Sequence, residues 1–197
     1  MYELILVSES PRRRQLLWDA GFEFRTDTVK ISEIIEENVN LPDAISQIAR
    51  QKLDAYRATH NHLKSLDIMA ISADTMVVID NQALGKPKSA LMAREYLRLL
   101  SGREHVVMTA FCIYNFATDE IVNKICTTKV VFRLLTDHEI EDYIASGEPM
   151  DKAGAYAIQG EGKKFIVEIQ GSYSNVVGLP IEEIQKTFHE KKWHVKQ

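Results

Sequence analysis

Hydroxyls and guanidinium groups gather in Ser8-Glu9-Ser10-Pro11-Arg12-Arg13-Arg14, where an apolar run ends and a helix can begin. Backbone N–H groups at a helix start and guanidinium forks bind phosphate oxygens, and arginine suits bidentate contact better than lysine. Successive helix positions differ in direction by about 100°, so Arg12, Arg13 and Arg14 cannot all face one ligand. The run reads either as a phosphate site built on Ser8, Ser10, Arg12 and Arg13 or as a solvated surface. The acidic candidates are Glu33, Asp74 and Asp151. Asp74 follows the apolar run 68–73 and precedes Thr75, a common place for a sheet to present a residue to a ligand. A carboxylate there could hold Mg²⁺, which prefers hard oxygens and leaves substrate phosphates to complete its octahedron. Taken alone, Asp74 reads equally well as a cap, a turn residue or half of an ion pair.

Lys52, Lys86 and Lys152 are possible phosphate partners, whereas Lys88, Lys163 and Lys164 read as surface charge. The histidines form no H-E-x-x-H pattern or compact cluster with cysteine, which argues against a zinc hydrolase. No G-x-S-x-G elbow is present, so water rather than a covalent serine is the favoured acceptor, and Gly171-Ser172 is a weak nucleophile signal.

These residues need a scaffold. Leu4 to Val7 suit a buried strand, and Ser10 with Pro11 suit a helix start, the helix stopping at Gly21. A second helix is predicted from about Asn40 to Asp43 onward, with Ile45, Ile48, Ala49, Leu53 and Tyr56 near one face and Lys52 beside it. Residues 68–73 read as a strand delivering Asp74 and Thr75, followed by the branched run 76–79, a turn at 80–82 and a loop at Gly85-Lys86-Pro87. Then come a helix over 89–100, a strand pair at 105–116 and 121–132, and a helix opened by the Thr136/Glu139 capping box and closed by Gly147. The glycine-rich stretch 148–163 has no helical period, residues 165–169 and 173–177 read as strands, and Pro180 starts a last helix. The pattern predicts a mixed α/β fold, with antiparallel elements in its sheet, as a single domain over 1–197.

Composition excludes other classes. The 197 residues suffice for one core or for one domain in two lobes. A net charge of −4 offers no global attraction for a polymeric nucleic acid or an anionic bilayer. Cys112 and Cys126 are too few for a disulfide framework and read as reduced thiols. The apolar run precedes the basic residues, the reverse of a signal peptide, and no run approaches a membrane span, so a cytoplasmic protein is expected.

Blocks in order along the chain resemble the Maf family of nucleoside triphosphate pyrophosphatases: 8–13, Ala49-Arg50-Gln51-Lys52, Ser72-Ala73-Asp74-Thr75, Gly85-Lys86-Pro87, Gly102-Arg103-Glu104-His105, 147–160 and 171–180. The resemblance implies a two-lobed α/β fold around a nucleotide cleft and hydrolysis of a nucleoside triphosphate to the monophosphate and pyrophosphate. It marks Asp74 as proton acceptor, Glu33 and Asp74 as holders of Mg²⁺ or Mn²⁺, and Lys52 and Lys86 as phosphate contacts. Arg12, Thr75 and Gln159 match the dTTP/UTP branch rather than the 7-methyl-GTP branch, and a glutamine amide supplies both a donor and an acceptor for a pyrimidine edge. Glu9 and Ala157 depart from the smaller residues frequent there. Many relatives are homodimers. A nucleotide-binding regulator linked to division arrest and a metal-dependent phosphomonoesterase are the alternatives; pyrophosphate rather than orthophosphate as product separates the latter.

Overall fold

The computed structural model describes residues 1–32 and 39–197, so Glu33 lies outside the described residues. Its elements are β1 (Glu3–Val7), α1 (Pro11–Asp19), β2 (Phe24–Asp27), α2 (Leu41–Thr59), β3 (Ile68–Ile79), β4 (Gln82–Leu84) and α3 (Ala90–Leu100). They continue with β5 (Glu104–Asn115), β6 (Glu120–Phe132), α4 (Asp137–Ala145), β7 (Ile166–Gln170), α5 (Tyr173–Val177) and α6 (Ile181–Glu190). The sheet order is β2-β1-β3-β5-β6-β7, with β4 added to β3. β1 pairs in parallel with β2 and β3, while β3/β4 and β6/β7 are antiparallel. The fold is therefore mixed α/β, as the alternation of strands and helices predicts.

The chain forms two compact units. The first comprises Met1–Asp74, Thr109–Cys126 and Gly178–Gln197; the second comprises Thr75–Met108 and Thr127–Val177. Each has its own core. In the first, Leu4 and Leu6 of β1 and Met69, Ile71 and Ala73 of β3 meet Leu17, Ile184 and Phe188 from the helices, one face of alternating strands against apolar helix stripes. In the second, Val77, Leu97, Val107, Phe132, Tyr143 and Phe165 cluster together.

Besides the short strands β2 and β4, which the sequence reading did not include, two elements differ from it. β3 does not end at residue 73 but runs on through Asp74 to Ile79, so Asp74 lies within a strand. Residues 173–177 are helical instead of extended. Ser172 explains the second difference: its Oγ accepts from Asn175 N at 3.0 Å, capping the turn, while Asn175 Nδ2 donates to Val107 O at 3.0 Å and Thr128 Oγ1 at 2.9 Å. A serine cap and a buried amide outweigh the strand preference of Val176 and Val177.

Candidate active site

In the first unit, two periodicities bring Asp74 and Lys52 together. Ser72 and Asp74 are two apart on β3 and share a strand face; Ala49 and Lys52 are three apart on α2 and share a helix face. The fully buried Ser72 donates its hydroxyl to Ala49 O at 2.6 Å, locking strand to helix. One step further along both elements, Lys52 Nζ donates to Asp74 Oδ1 at 2.6 Å, each side chain 20% exposed. Their pairing is a consequence of the packing that Ser72 fixes.

Val7 stands opposite Ser72 in the parallel register, so the Ser8–Ser10 turn emerges beside the strand position that carries Asp74. Ser10 caps α1, its Oγ accepting from Arg13 N at 3.4 Å, with Pro11 opening the helix. Ser8 Oγ accepts from Ser10 N at 3.2 Å and from Arg13 Nη1 at 3.4 Å. Arg13 also donates from Nη1 to Ala73 O and from Nε to Gly178 O, both at 2.8 Å. Its guanidinium thus ties the residue before Asp74 to the turn at Gly178. Arg12 is half-buried and Arg14 exposed, in keeping with the divergence expected of successive helical positions.

The other sequence candidates belong to the second unit. Thr75 follows Asp74 in β3 and is half-buried; Lys86 is exposed in the loop after β4; Gln159 is exposed in the glycine-rich stretch. The loops of the last two are linked, Gly154 N donating to Gly85 O at 3.1 Å. Asp151 pairs with Lys152, and Lys152 Nζ also reaches Glu148 O at 3.4 Å. Ser172, the weak nucleophile signal, is the helix cap already described. Cys112 is buried and its thiol pushed up to about 12, first by burial, which accords with an inert reduced thiol.

Sequence reasoning passed over Tyr143 and Glu148, which hold the glycine-rich stretch. Glu148 accepts from the amides of Glu161 at 3.0 Å and Gly162 at 3.2 Å and from Tyr143 OH at 2.9 Å. A carboxylate directly after Gly147 and ahead of Gly160 and Gly162 was a signal, but its partners were set by folding and not by spacing. His105 lies beneath the same stretch, its Nε2 2.8 Å from Tyr156 OH. Burial drives its pKa down to about 4, with the neighbouring Arg103 backbone opposing the shift. Among the described residues no three His, Cys, Asp or Glu side chains converge as a metal cage. No helix among them is long and apolar enough to cross a membrane.

The model of the Maf-like protein family matches residues 3–191. A dTTP/UTP pyrophosphatase of Bdellovibrio bacteriovorus is 48% identical over 92% of this chain and 95% of its own length. One from Shewanella denitrificans is 45% identical, covering 91% of each chain, and one from Clostridioides difficile 40% identical, covering 92% and 91%. Among solved structures, the Staphylococcus aureus Ham1 protein shares the fold at a TM-score of 0.50 and 11% identity, over 96% of this chain and 99% of that one. With a family model spanning nearly its whole length and relatives this similar, the chain belongs to the Maf-like proteins.

Proposed function

We propose that this protein hydrolyses dTTP and UTP to the nucleoside monophosphate and pyrophosphate. The observation that carries the reading is the Lys52–Asp74 pair, 2.6 Å apart and only 20% exposed, beside the Ser8–Ser10 turn and the start of α1. Membership of a family whose similar members are dTTP/UTP pyrophosphatases supports the substrate class.

In this mechanism Asp74 orients the attacking water and accepts its proton as the water oxygen bonds to phosphorus. The bond between that phosphorus and the oxygen bridging the α and β phosphates breaks, its electron pair staying on the bridging oxygen, and the products are the monophosphate and pyrophosphate. Lys52 counterbalances Asp74 before substrate arrives and then offers its N–H donors to phosphate, where Lys86, Arg12 and the helix start with Ser8 and Ser10 add charge and hydrogen bonds. Arg13 spends donors on Ala73 O and Gly178 O, so it serves the phosphate site by holding its backbone. Gln159 and Thr75 read the pyrimidine. Asp74 also has the donor chemistry for Mg²⁺ or Mn²⁺, a hard carboxylate of the kind that binds the ion singly or in pairs with substrate phosphates, and Glu33 is its proposed companion. Such a cation supplies charge neutralisation on the phosphates when bound.

The test is a metal-supplemented panel of dTTP, UTP, dCTP, dGTP and 7-methyl-GTP, with pyrophosphate release followed at several concentrations. UTP should give UMP and pyrophosphate, with kcat/KM highest for dTTP and UTP. Orthophosphate as the only phosphate product rejects the reaction, and a 7-methyl-GTP preference rejects the base assignment alone. Asp74→Asn should retain the fold and lose roughly 10²–10⁴ in turnover.

A further inference from the structure

Gln159 sits in a segment without regular ladder bonds, between the short helical turns at Ala153–Ala155 and Glu161–Phe165. Such a backbone keeps one conformation only if side chains satisfy its amides. Here two do. The Tyr143 hydroxyl accepts from Ala157 N at 3.1 Å, two residues before Gln159, and donates to Glu148 Oε1 at 2.9 Å. The Glu148 carboxylate then accepts from Glu161 N and Gly162 N, two and three residues after Gln159. One phenol and one carboxylate therefore grip the segment on both sides of Gln159.

The grip is closed sterically. A Cβ on Gly160 would lie 2.6 Å from Glu148 Oε2, and one on Gly162 would lie 2.5 Å from Ala157 O and 2.7 Å from the Tyr143 hydroxyl. Gly160 also has φ 101° and ψ −152°, a conformation essentially restricted to glycine. Tyr143 is fully buried on α4 and packs edge-on against Phe165 with centroids 5.0 Å apart, so it is a rigid strut. Burial pushes the Glu148 carboxyl up, but the amides of Glu161 and Gly162, the Tyr143 hydroxyl and Lys152 outweigh it and hold the group below the usual carboxylate range.

We propose that Glu148, acting with Tyr143, is a positioning residue for base selectivity: it fixes the backbone that aims Gln159 and leaves the phosphate chemistry to other residues. The inference rests on Gln159 reading the base, as proposed above. Glu148→Gln replaces one acceptor oxygen with an NH₂ that confronts an amide or hydroxyl donor, freeing the segment while keeping the side chain's size. Tyr143→Phe leaves the carboxylate and removes its donor together with the acceptor for Ala157 N.

The experiment measures kcat/KM for UTP and dGTP in the full chain, together with amide exchange over 157–162, in wild type, E148Q, Y143F and Q159A. E148Q should lower the UTP-to-dGTP ratio by about tenfold, as Q159A does, chiefly through UTP, and speed exchange at Glu161 and Gly162 by about tenfold or more. A folded E148Q with the wild-type ratio overturns the proposal whatever its exchange, while a lowered ratio in Q159A leaves the Gln159 reading standing. If Q159A keeps the wild-type ratio, Gln159 is not the reader, and the proposal that Glu148 acts by aiming it falls with that reading. If E148Q does not fold, Y143F decides in its place by the same two measurements.

Discussion

Arg13 and Arg12 are neighbours of the same type, yet their chemistry diverges within one helical step. Nothing in the sequence tells which of three adjacent arginines turns inward; the fold decides it by placing two backbone carbonyls, Ala73 O and Gly178 O, within 2.8 Å of the Arg13 guanidinium. Hydrogen bonds from a charged donor contribute roughly 1.5–3 kcal/mol each, less where water competes, and only a planar fork reaches two carbonyls at once. Arg13→Lys keeps the charge and loses that geometry. It should lower stability by about 2 kcal/mol in urea unfolding. Because the freed segment includes the residue before Asp74, kcat should fall by about tenfold or more with a smaller change in KM. A variant of unchanged kcat and raised KM would mean that Arg13 binds substrate directly. Asp74 itself was legible as a polar residue emerging from an apolar run, and Lys52 as lying beside a helix face. Their contact was not, because it depends on how α2 is set against β3, and that is fixed by Ser72 and Ala49 across 23 positions of sequence.

Helix starts were the most legible elements. Ser10, Asn40, Ser89 and Thr136 all cap as their residue types predict, since a short polar side chain before an apolar periodic run has one favourable local use. The miss at α5 has the same origin: Ser172 is a cap too, but a five-residue helix shows no period to announce it. The glycine-rich stretch was recognisable as irregular, and its shape was not, because each glycine answers to a neighbour distant in sequence. Gly154 is the strongest example. It has φ 70°, donates its N–H to the loop of Lys86 through Gly85 O, and a Cβ there would meet the Val77 side chain at 2.9–3.0 Å. Gly154→Ala combines a left-handed conformation, costing about 1–2 kcal/mol, with overpacking of about 1–3 kcal/mol against β3. The expected destabilisation is about 2–4 kcal/mol by denaturant midpoint. Reducing Val77 to Ala in the same chain should recover only the packing share, leaving the backbone share in place. Full recovery would show that φ costs nothing here.

At the scale of the whole chain, the backbone passes between the compact units at Asp74/Thr75, Met108/Thr109, Cys126/Thr127 and Val177/Gly178, and each unit carries its own core. A stability measurement must therefore state which unit it reports. Trp18 and Trp193 both belong to the first unit, so indole fluorescence is blind to the core around His105 in the second. That core has an acid-sensitive member. His105 is 2% exposed, and burial lowers its pKa from the ordinary 6.5 to about 4. The unfolded chain therefore binds a proton that the folded chain refuses as pH drops through that interval. Stability is fully present above about pH 6.5, declines by about 2 kcal/mol at pH 5, and has lost about 3 kcal/mol once pH falls below 4. Carboxylates do not mimic this between neutrality and pH 5. Glu139, held near 2 first by Arg133, and Glu148, Glu183 and Glu141, all lowered, lose their contributions only as pH falls below the ordinary carboxylate range. His105→Gln removes the titrating ring and retains a polar group for Tyr156 OH, so the variant should be less stable than wild type near pH 7.5 and nearly flat down to pH 5. Amide exchange at Val107 and Phe132, which flank the ring in β5 and β6, reads the correct unit. Parallel pH profiles for wild type and H105Q at these amides would refute the assignment, and profiles that converge toward pH 5 would establish His105 as the principal source of acid lability in the second unit.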